Sequence, residues 1–377
     1  MGSMAGDYTT PNNGDTYSLS QIASLAPSTV YFSNPTSFTL SGTLNISPLD
    51  TLQISGGEGL RALTNPDSPA YGIIVRGRIL VLGTEGSPAV LSSYDAVPGC
   101  WRGIIIMSEG VDVSHIDHAR IEYAAVGVNV RGKATPLIEN SEFYRCMYAS
   151  MSVGPGFSAV IRNNTITSWE RGAGVVLDTA SAAEITSNTI TGGAVGIVTS
   201  GSDAATYLSE NHTIMNDAGF VSATSDRAIV ENNRFESGYL GGVAADYSTA
   251  FWNKNTMENQ QMAGMGITND ATPKLRQNIF KGNGTLGGIF ISNNAVPGLG
   301  TTGDPGLNDF AHITNWNLVN FSSRDQYAPG NVWSALSPGD VIYDYADDQS
   351  DADGNGVISG RVYLSQSATS HSWILYR

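Results

Sequence analysis

The chain has 377 residues, of which 43 are Gly and only 14% are charged, and it carries a formal net charge of -15 with just four lysines, Lys133, Lys254, Lys274 and Lys281. So acidic a surface repels polyanions, which argues against nucleic acid and anionic membranes as partners. No apolar run reaches the roughly 18 residues that a bilayer-spanning helix needs. Gly and small polar residues are abundant, the profile of an all-β protein rich in turns.

In chain order, residues 1–6 (Met-Gly-Ser-Met-Ala-Gly) read as a cloning remnant ahead of a mature sequence from which any secretion signal has been removed. Residues 18–25 (Ser-Leu-Ser-Gln-Ile-Ala-Ser-Leu) form a short amphipathic pattern behind a Ser cap, a helix suited to cover the first rung of a repeat array. Downstream such a repeat takes over: apolar, two residues, Asn, one residue, apolar. It recurs as Ile161/Asn164/Ile166, Ile185/Asn188/Ile190, Val230/Asn233/Phe235, Trp252/Asn255/Met257 and Leu275/Asn278/Phe280. Ile138/Ser141/Phe143 is a degenerate copy, Leu208/Asn211 runs to Ile214 with one extra residue, and Ile313/Trp316/Leu318 is a late echo. The last apolar positions, 121, 143, 166, 190, 214, 235, 257 and 280, step by 21 to 24 residues.

A second column runs in phase, with Gly103, Gly127, Gly174, Gly196, Gly219, Gly242, Gly266 and Gly288 opening or interrupting short apolar runs. Each repeat thus holds at least two short strands between Gly, Asn and Ser turns. Leucine-rich repeats share this period, but these positions are mostly Ile, Val and Phe. The expected fold is therefore all-β: a single right-handed parallel β-helix of about 11–12 rungs with a short N-terminal capping helix. Its expected parts are a remnant and cap over 1–37, the helix proper over 38–330, and a C-terminal cap with an acidic Asp/Gly loop over 331–377. Ser337-Pro-Gly-Asp340 resembles a capping box in that last part, and residues 360–377 read as one or two strands. Asn at a bend suits a left-handed backbone, and stacked Asn amides can hydrogen-bond from rung to rung. Cys100 and Cys146 fall at different phases of the repeat and are expected as free, partly buried thiols.

The segment holding Gly-Thr-Glu-Gly from Gly83, then Pro98-Gly-Cys-Trp101-Arg-Gly103-Ile-Ile-Ile, then His115-Ile-Asp-His118-Ala-Arg-Ile121-Glu-Tyr-Ala resembles secreted bacterial right-handed β-helix proteins of the pectate-lyase-like superfamily. The resemblance spans about residues 38–348 and implies a secreted or cell-surface location. It says little about activity, because such proteins include lyases, hydrolases, epimerases, adhesins and structural proteins. The Asn-Thr-Asp, paired-Asp and Gly-His-Gly set of polygalacturonases is missing, as is the Tyr-Gly-x-Asp-Pro-His motif of mannuronan epimerases.

By repeat phase, Asp117 and Glu139 occupy one position of adjacent rungs, with Arg120, Glu122 and Glu142 outward beside them and His118 at the same edge. Paired carboxylates with a His can do general acid/base work or hold Ca²⁺, so Asp117, His118, Glu122, Glu139 and Glu142 are the catalytic candidates; a solvated polar face is the plainer alternative. Glu231, Arg234, Glu236, Lys254 and Glu258 alternate in sign, as cross-strand charge pairs do. Thr165, Thr189 and Thr213 form a column too short to make an ice-binding face. Asp351-Ala-Asp353-Gly-Asn355-Gly-Val357-Ile-Ser359 matches the first half of an EF-hand-like loop, so Asp351, Asp353, Asn355, Val357 and Ser359 are candidate ligands for a structural Ca²⁺; an ordinary acidic turn is the alternative. Trp169, Tyr239 and Tyr144 lie in or near turns where sugar rings could stack, whereas Trp101, Trp252 and Trp316 fit the core pattern. The leading expectation is a glycan-binding, adhesive or structural module that engages polysaccharide or cell-surface proteins. A polysaccharide lyase or glycoside hydrolase and a self-assembling rod are the alternatives. Whether the chain is a monomer or self-associates stays open.

Overall fold

A computed structural model describes residues 6–64, 71–108, 110, 113–202, 205–335, 341–344 and 361–364. The fold is a parallel β-solenoid of about 13 turns, more than the eleven or twelve expected, because parallel pairing already begins at Tyr8–Thr9 and Thr16–Ser18, which pair with Leu44–Ile46 and Thr51–Ser55. Contacts divide the chain into two compact units, Met1–Ala194 and Val195–Arg377.

In the first unit each full turn contributes three short strands to three parallel sheets. One such turn is Val126–Val130, Leu137–Glu139 and Glu142–Tyr144; the next is Ala149–Val153, Ser158–Arg162 and Thr165–Thr167. Alternation decides which side chains face in. Ile116, Ile138, Ile161 and Ile185 stack in one inward column and Ile121, Phe143, Ile166 and Ile190 in another, all without solvent exposure. The helix Leu19–Leu25 buries Leu19, Ile22 and Ala23. Its cap is a reciprocal box: Gln21 N donates to Ser18 Oγ (3.3 Å) and Ser18 N donates to Gln21 Oε1 (2.8 Å). The buried Asp50 carboxylate receives the N–H groups of Asn12 and Gly14, tying the first residues to the solenoid.

The second unit repeats the plan, with Phe220 and Trp252 packed at 4.9 Å and Phe280 stacked on Phe310 at 4.8 Å. Its asparagines form a ladder, buried as far as Asn308, in which the side-chain amide of each donates to the Oδ1 of the next, from Asn233 to Asn255, Asn278, Asn308 and Asn331. Asn211 joins the same ladder through Asn233, and in the first unit Asn164 donates to Asn188. The left-handed backbone, however, belongs to the residue before each ladder Asn: Asn163, Ser187, Glu210, Asn232, Lys254 and Gln277 have φ between 53° and 57°. The bend and the amide stack are therefore carried by neighbouring residues, not by one.

Five other sequence-based expectations shift. Thr213, only 1% exposed, takes the inward slot opposite Phe235, so no residue is inserted before it and Ile214 lies one position outside the column. The outward Thr column accordingly stops at Thr189 in the first unit. The late echo at Ile313 is not the next ladder rung; Asn308 with Phe310 is, thirty residues after Asn278. Trp316 is half-buried and outside the fully buried core that holds Trp101 and Trp252. In the glycine column, Gly219, Gly241, Gly264 and Gly288 are in register, not Gly242 and Gly266. A Cβ at Gly241 would lie 2.5 Å from the Gly264 carbonyl oxygen, so here the requirement is close approach of backbones. The capping motif at 337–340 lies outside the described residues; of 360–377, Val362–Tyr363 is described as a strand paired with Gln326–Tyr327.

Candidate functional site

Three strands of the first unit, His115–Asp117, Leu137–Glu139 and Ser158–Arg162, present His115, Asp117, Glu139 and Arg162 on their outer face because the intervening Ile116, Ile138 and Ile161 are drawn into the core. Asp117 and Glu139 are direct partners in the parallel register, as expected. Glu139 is held on both sides, with His115 Nε2 at 2.9 Å from Oε1 and Arg162 Nε donating to Oε2 at 2.8 Å. Asp117 Oδ1 accepts from Asn140 Nδ2 at 2.9 Å and lies 2.7 Å from His118 Nδ1. His118 and Asn140, both at φ 49°, form the sharp bend into the next sheet.

Past that bend the outer face continues with Arg120 and Glu122 on Ala119–Glu122, and Glu142 and Tyr144 on Glu142–Tyr144. Arg120 Nε sits 2.6 Å from Glu122 and 3.5 Å from Glu142. Ser92 Oγ donates to Glu122 Oε2 at 2.8 Å, and the buried Trp101 indole donates to the Glu122 carbonyl at 2.7 Å, which fixes the end of that strand. The five catalytic candidates thus fall into two groups: Asp117 and Glu139 before the bend with His118 in it, and Glu122 and Glu142 after it. Among the described residues no hydrogen bond or ion pair joins the two groups.

At the following bend the aromatics gather. Tyr123 and Arg145 adopt left-handed backbone (φ 55° and 51°). The Arg145 guanidinium lies 4.7 Å from the Trp169 ring centre and 6.0 Å from that of Tyr144, and Tyr144 meets Tyr123 edge-on at 5.7 Å. Tyr148, 65% exposed, stands on the adjoining segment. Burial, reinforced by the charge of Glu122 and by Tyr144, raises the Tyr123 phenol above its ordinary value. Guanidinium over aromatic faces, beside carboxylates and hydroxyls, offers stacking and directional hydrogen bonds together.

Sequence reasoning placed Asp117, His118, Glu139, Tyr144 and Trp169 on this surface but missed His115, Arg162, Tyr123 and Arg145. His115 was legible as the outward residue two before Asp117; Arg145 was not, because its side chain is aimed by a backbone conformation that no local motif announces. Tyr239, 48% exposed, belongs to the second unit. There the expected charge pairs form, Arg234 with Glu236 and Glu258 and Lys254 with Glu231, and His212 also pairs with Glu236. Glu258 is more buried than an outward charge would be, and Lys281 completes its pairing. The candidate Ca²⁺ ligands Asp351, Asp353, Asn355, Val357 and Ser359 lie outside the described residues.

These features define a right-handed parallel β-helix protein. Residues 173–302 match the family model described as the right handed beta helix region. Solved structures of similar fold are those of the periplasmic alginate epimerase AlgG. A single-substitution variant has a TM-score of 0.61 at 14% identity, covering 93% of this chain and 82% of that one. A double-substitution variant has a TM-score of 0.59 at 14% identity, with 96% and 85% covered. At that identity the likeness is one of fold. No sequence among the curated proteins matches this chain. Among the described residues no helix is long and apolar enough to cross a membrane.

Proposed function

We propose that this protein binds a polysaccharide outside the cytoplasm, through the outer face of its first unit around Tyr144, Arg145 and Trp169. The observation that carries the proposal is the stack of Arg145 on Trp169 and Tyr144, flanked by Arg120, Glu122 and Glu142. An aromatic ring buries the apolar face of a pyranose, while neighbouring charged groups read its hydroxyls or carboxylates. Support comes from the fold likeness to a protein described as a periplasmic alginate epimerase. A second reading, polysaccharide lyase or glycoside hydrolase, draws on the opposed Asp117 and Glu139 with histidines beside both.

Affinity electrophoresis through gels containing neutral or uronate-rich polysaccharides, with parallel assays for unsaturated and reducing ends, separates the two. Retardation without new chain ends is the expected result. Release of new ends would favour the enzyme, and neither effect across the panel would overturn both.

A further inference from the structure

The group at His115, Asp117 and Glu139 has a chemistry that polysaccharide binding does not use. One imidazole nitrogen and one oxygen from each carboxylate lie within 4.8 Å of one another. Asp117 and Glu139 stand directly opposite on adjacent parallel strands, an arrangement that is repulsive unless a cation offsets it. Arg162 donates to Glu139 Oε2 and leaves Oε1 to His115. On the other side Asn140 occupies Asp117 Oδ1. His118 Nδ1 is buried and aimed at that same oxygen from 2.7 Å, but off the line of a hydrogen bond. One oxygen of each carboxylate, Asp117 Oδ1 and Glu139 Oε2, is thus held by a neighbouring side chain, as the supporting shell of a metal site holds its ligands, while one oxygen of each carboxylate and an imidazole nitrogen come within 4.8 Å of one another.

We propose that His115, Asp117 and Glu139 form a three-ligand site for a divalent transition-metal ion of the zinc type. Zn²⁺ accepts mixed imidazole and carboxylate ligands at about 2.0–2.2 Å, which sets tetrahedral donors about 3.3 Å apart, inside the observed spread. An imidazole in the set disfavours Ca²⁺ and Mg²⁺, which take oxygen ligands. Because the ligands come from regular strands, the site needs little rearrangement to close on the ion. Three protein ligands leave the fourth position to a water or a ligand oxygen. Metal binding here is independent of the glycan surface and stands even if that surface binds nothing.

The test is isothermal titration of the full chain with Zn²⁺ at neutral pH, with Co²⁺ as a spectroscopic probe. One Zn²⁺ per chain is expected, with a melting temperature that rises with Zn²⁺ concentration and with Co²⁺ absorption that Zn²⁺ displaces. His115→Ala and Glu139→Gln should each weaken binding at least tenfold while circular dichroism stays unchanged. His212→Ala breaks a His–Glu pair of similar length, 2.8 Å, and should leave Zn²⁺ binding as it was; so should Asp353→Ala in the acidic loop. Excess Ca²⁺ should not compete. Failure of the parent chain to bind Zn²⁺ stoichiometrically, or binding that persists in a folded His115→Ala or Glu139→Gln chain, would overturn the site.

Discussion

Replacing Asn255 with Leu tests what the buried amide column contributes. Asn255 has no solvent exposure, and its side chain makes four hydrogen bonds: Nδ2 donates to the Val230 carbonyl (2.8 Å) and to Asn278 Oδ1 (3.0 Å), while Oδ1 accepts from the Asn233 backbone N–H and from Asn233 Nδ2, both at 3.0 Å. Each such bond contributes about 0.5–1.5 kcal/mol net, so their loss amounts to roughly 2–6 kcal/mol. About half of this is expected from the Asn233 N–H, which loses its acceptor in a dry interior at about 1–3 kcal/mol. Urea unfolding followed by circular dichroism reads this as a lower midpoint. Asn253→Leu, on the outward face of the preceding strand Phe251–Asn253, where the side-chain amide donates to Glu231 (2.7 Å), should cost about 1 kcal/mol or less. A loss below about 0.5 kcal/mol for Asn255→Leu, or equal losses for the two variants, would refute the reasoning.

The half-exposed Lys281 helps hold Glu258 ionised: burial alone would raise that carboxyl, but hydrogen bonds and charge from Lys281 and Arg234 outweigh it and leave its pKa lowered. That stabilisation is complete above the ordinary carboxylate value of 4.5 and is lost as pH falls through the lower folded value. Lys281→Met should therefore cost about 1 kcal/mol at pH 7 and progressively less in melts below about pH 4. Burial pushes the Cys146 thiol up to about 12 and Cys100 is only half-buried, so a thiol reagent at neutral pH should label at most one cysteine until the chain is unfolded. We further propose that residues 351–359 bind Ca²⁺ weakly. Millimolar Ca²⁺ should then raise the melting temperature and Asp353→Ala should abolish the rise; a melt indifferent to Ca²⁺ and to chelator would leave an ordinary turn.

The fold was legible because a solenoid writes its architecture into a repeat. The inward Ile161, Ile166, Val230 and Phe235 and the ladder from Asn233 to Asn278 follow directly from period and alternation. Legibility failed where an inward slot is filled by a residue that is not plainly apolar. Thr213 hid the register of its rung and promoted Ile214 in its place. It failed again where the repeat is stretched: the thirty-residue step to Asn308 includes a loop that Asp304 fastens to Arg276 (Nη2 to Oδ2, 2.8 Å) and Lys274. Of the candidate site, strand phase correctly opposed Asp117 and Glu139. The gathering of Tyr123, Arg145 and Trp169 depends on left-handed bends whose direction the residue types do not encode.

The central claim, a polysaccharide platform on the first unit, is most directly tested by titrating the best-retained polysaccharide from the panel into the parent chain and into Trp169→Ala, with Tyr239→Ala of the second unit as the control. At least a tenfold loss of affinity is expected for Trp169→Ala at unchanged fold, with parent-like affinity for Tyr239→Ala, since a central aromatic anchor costs about 2 kcal/mol or more when truncated, above the roughly 1.4 kcal/mol that tenfold represents. Equal affinity in the parent and Trp169→Ala chains would contradict the claim.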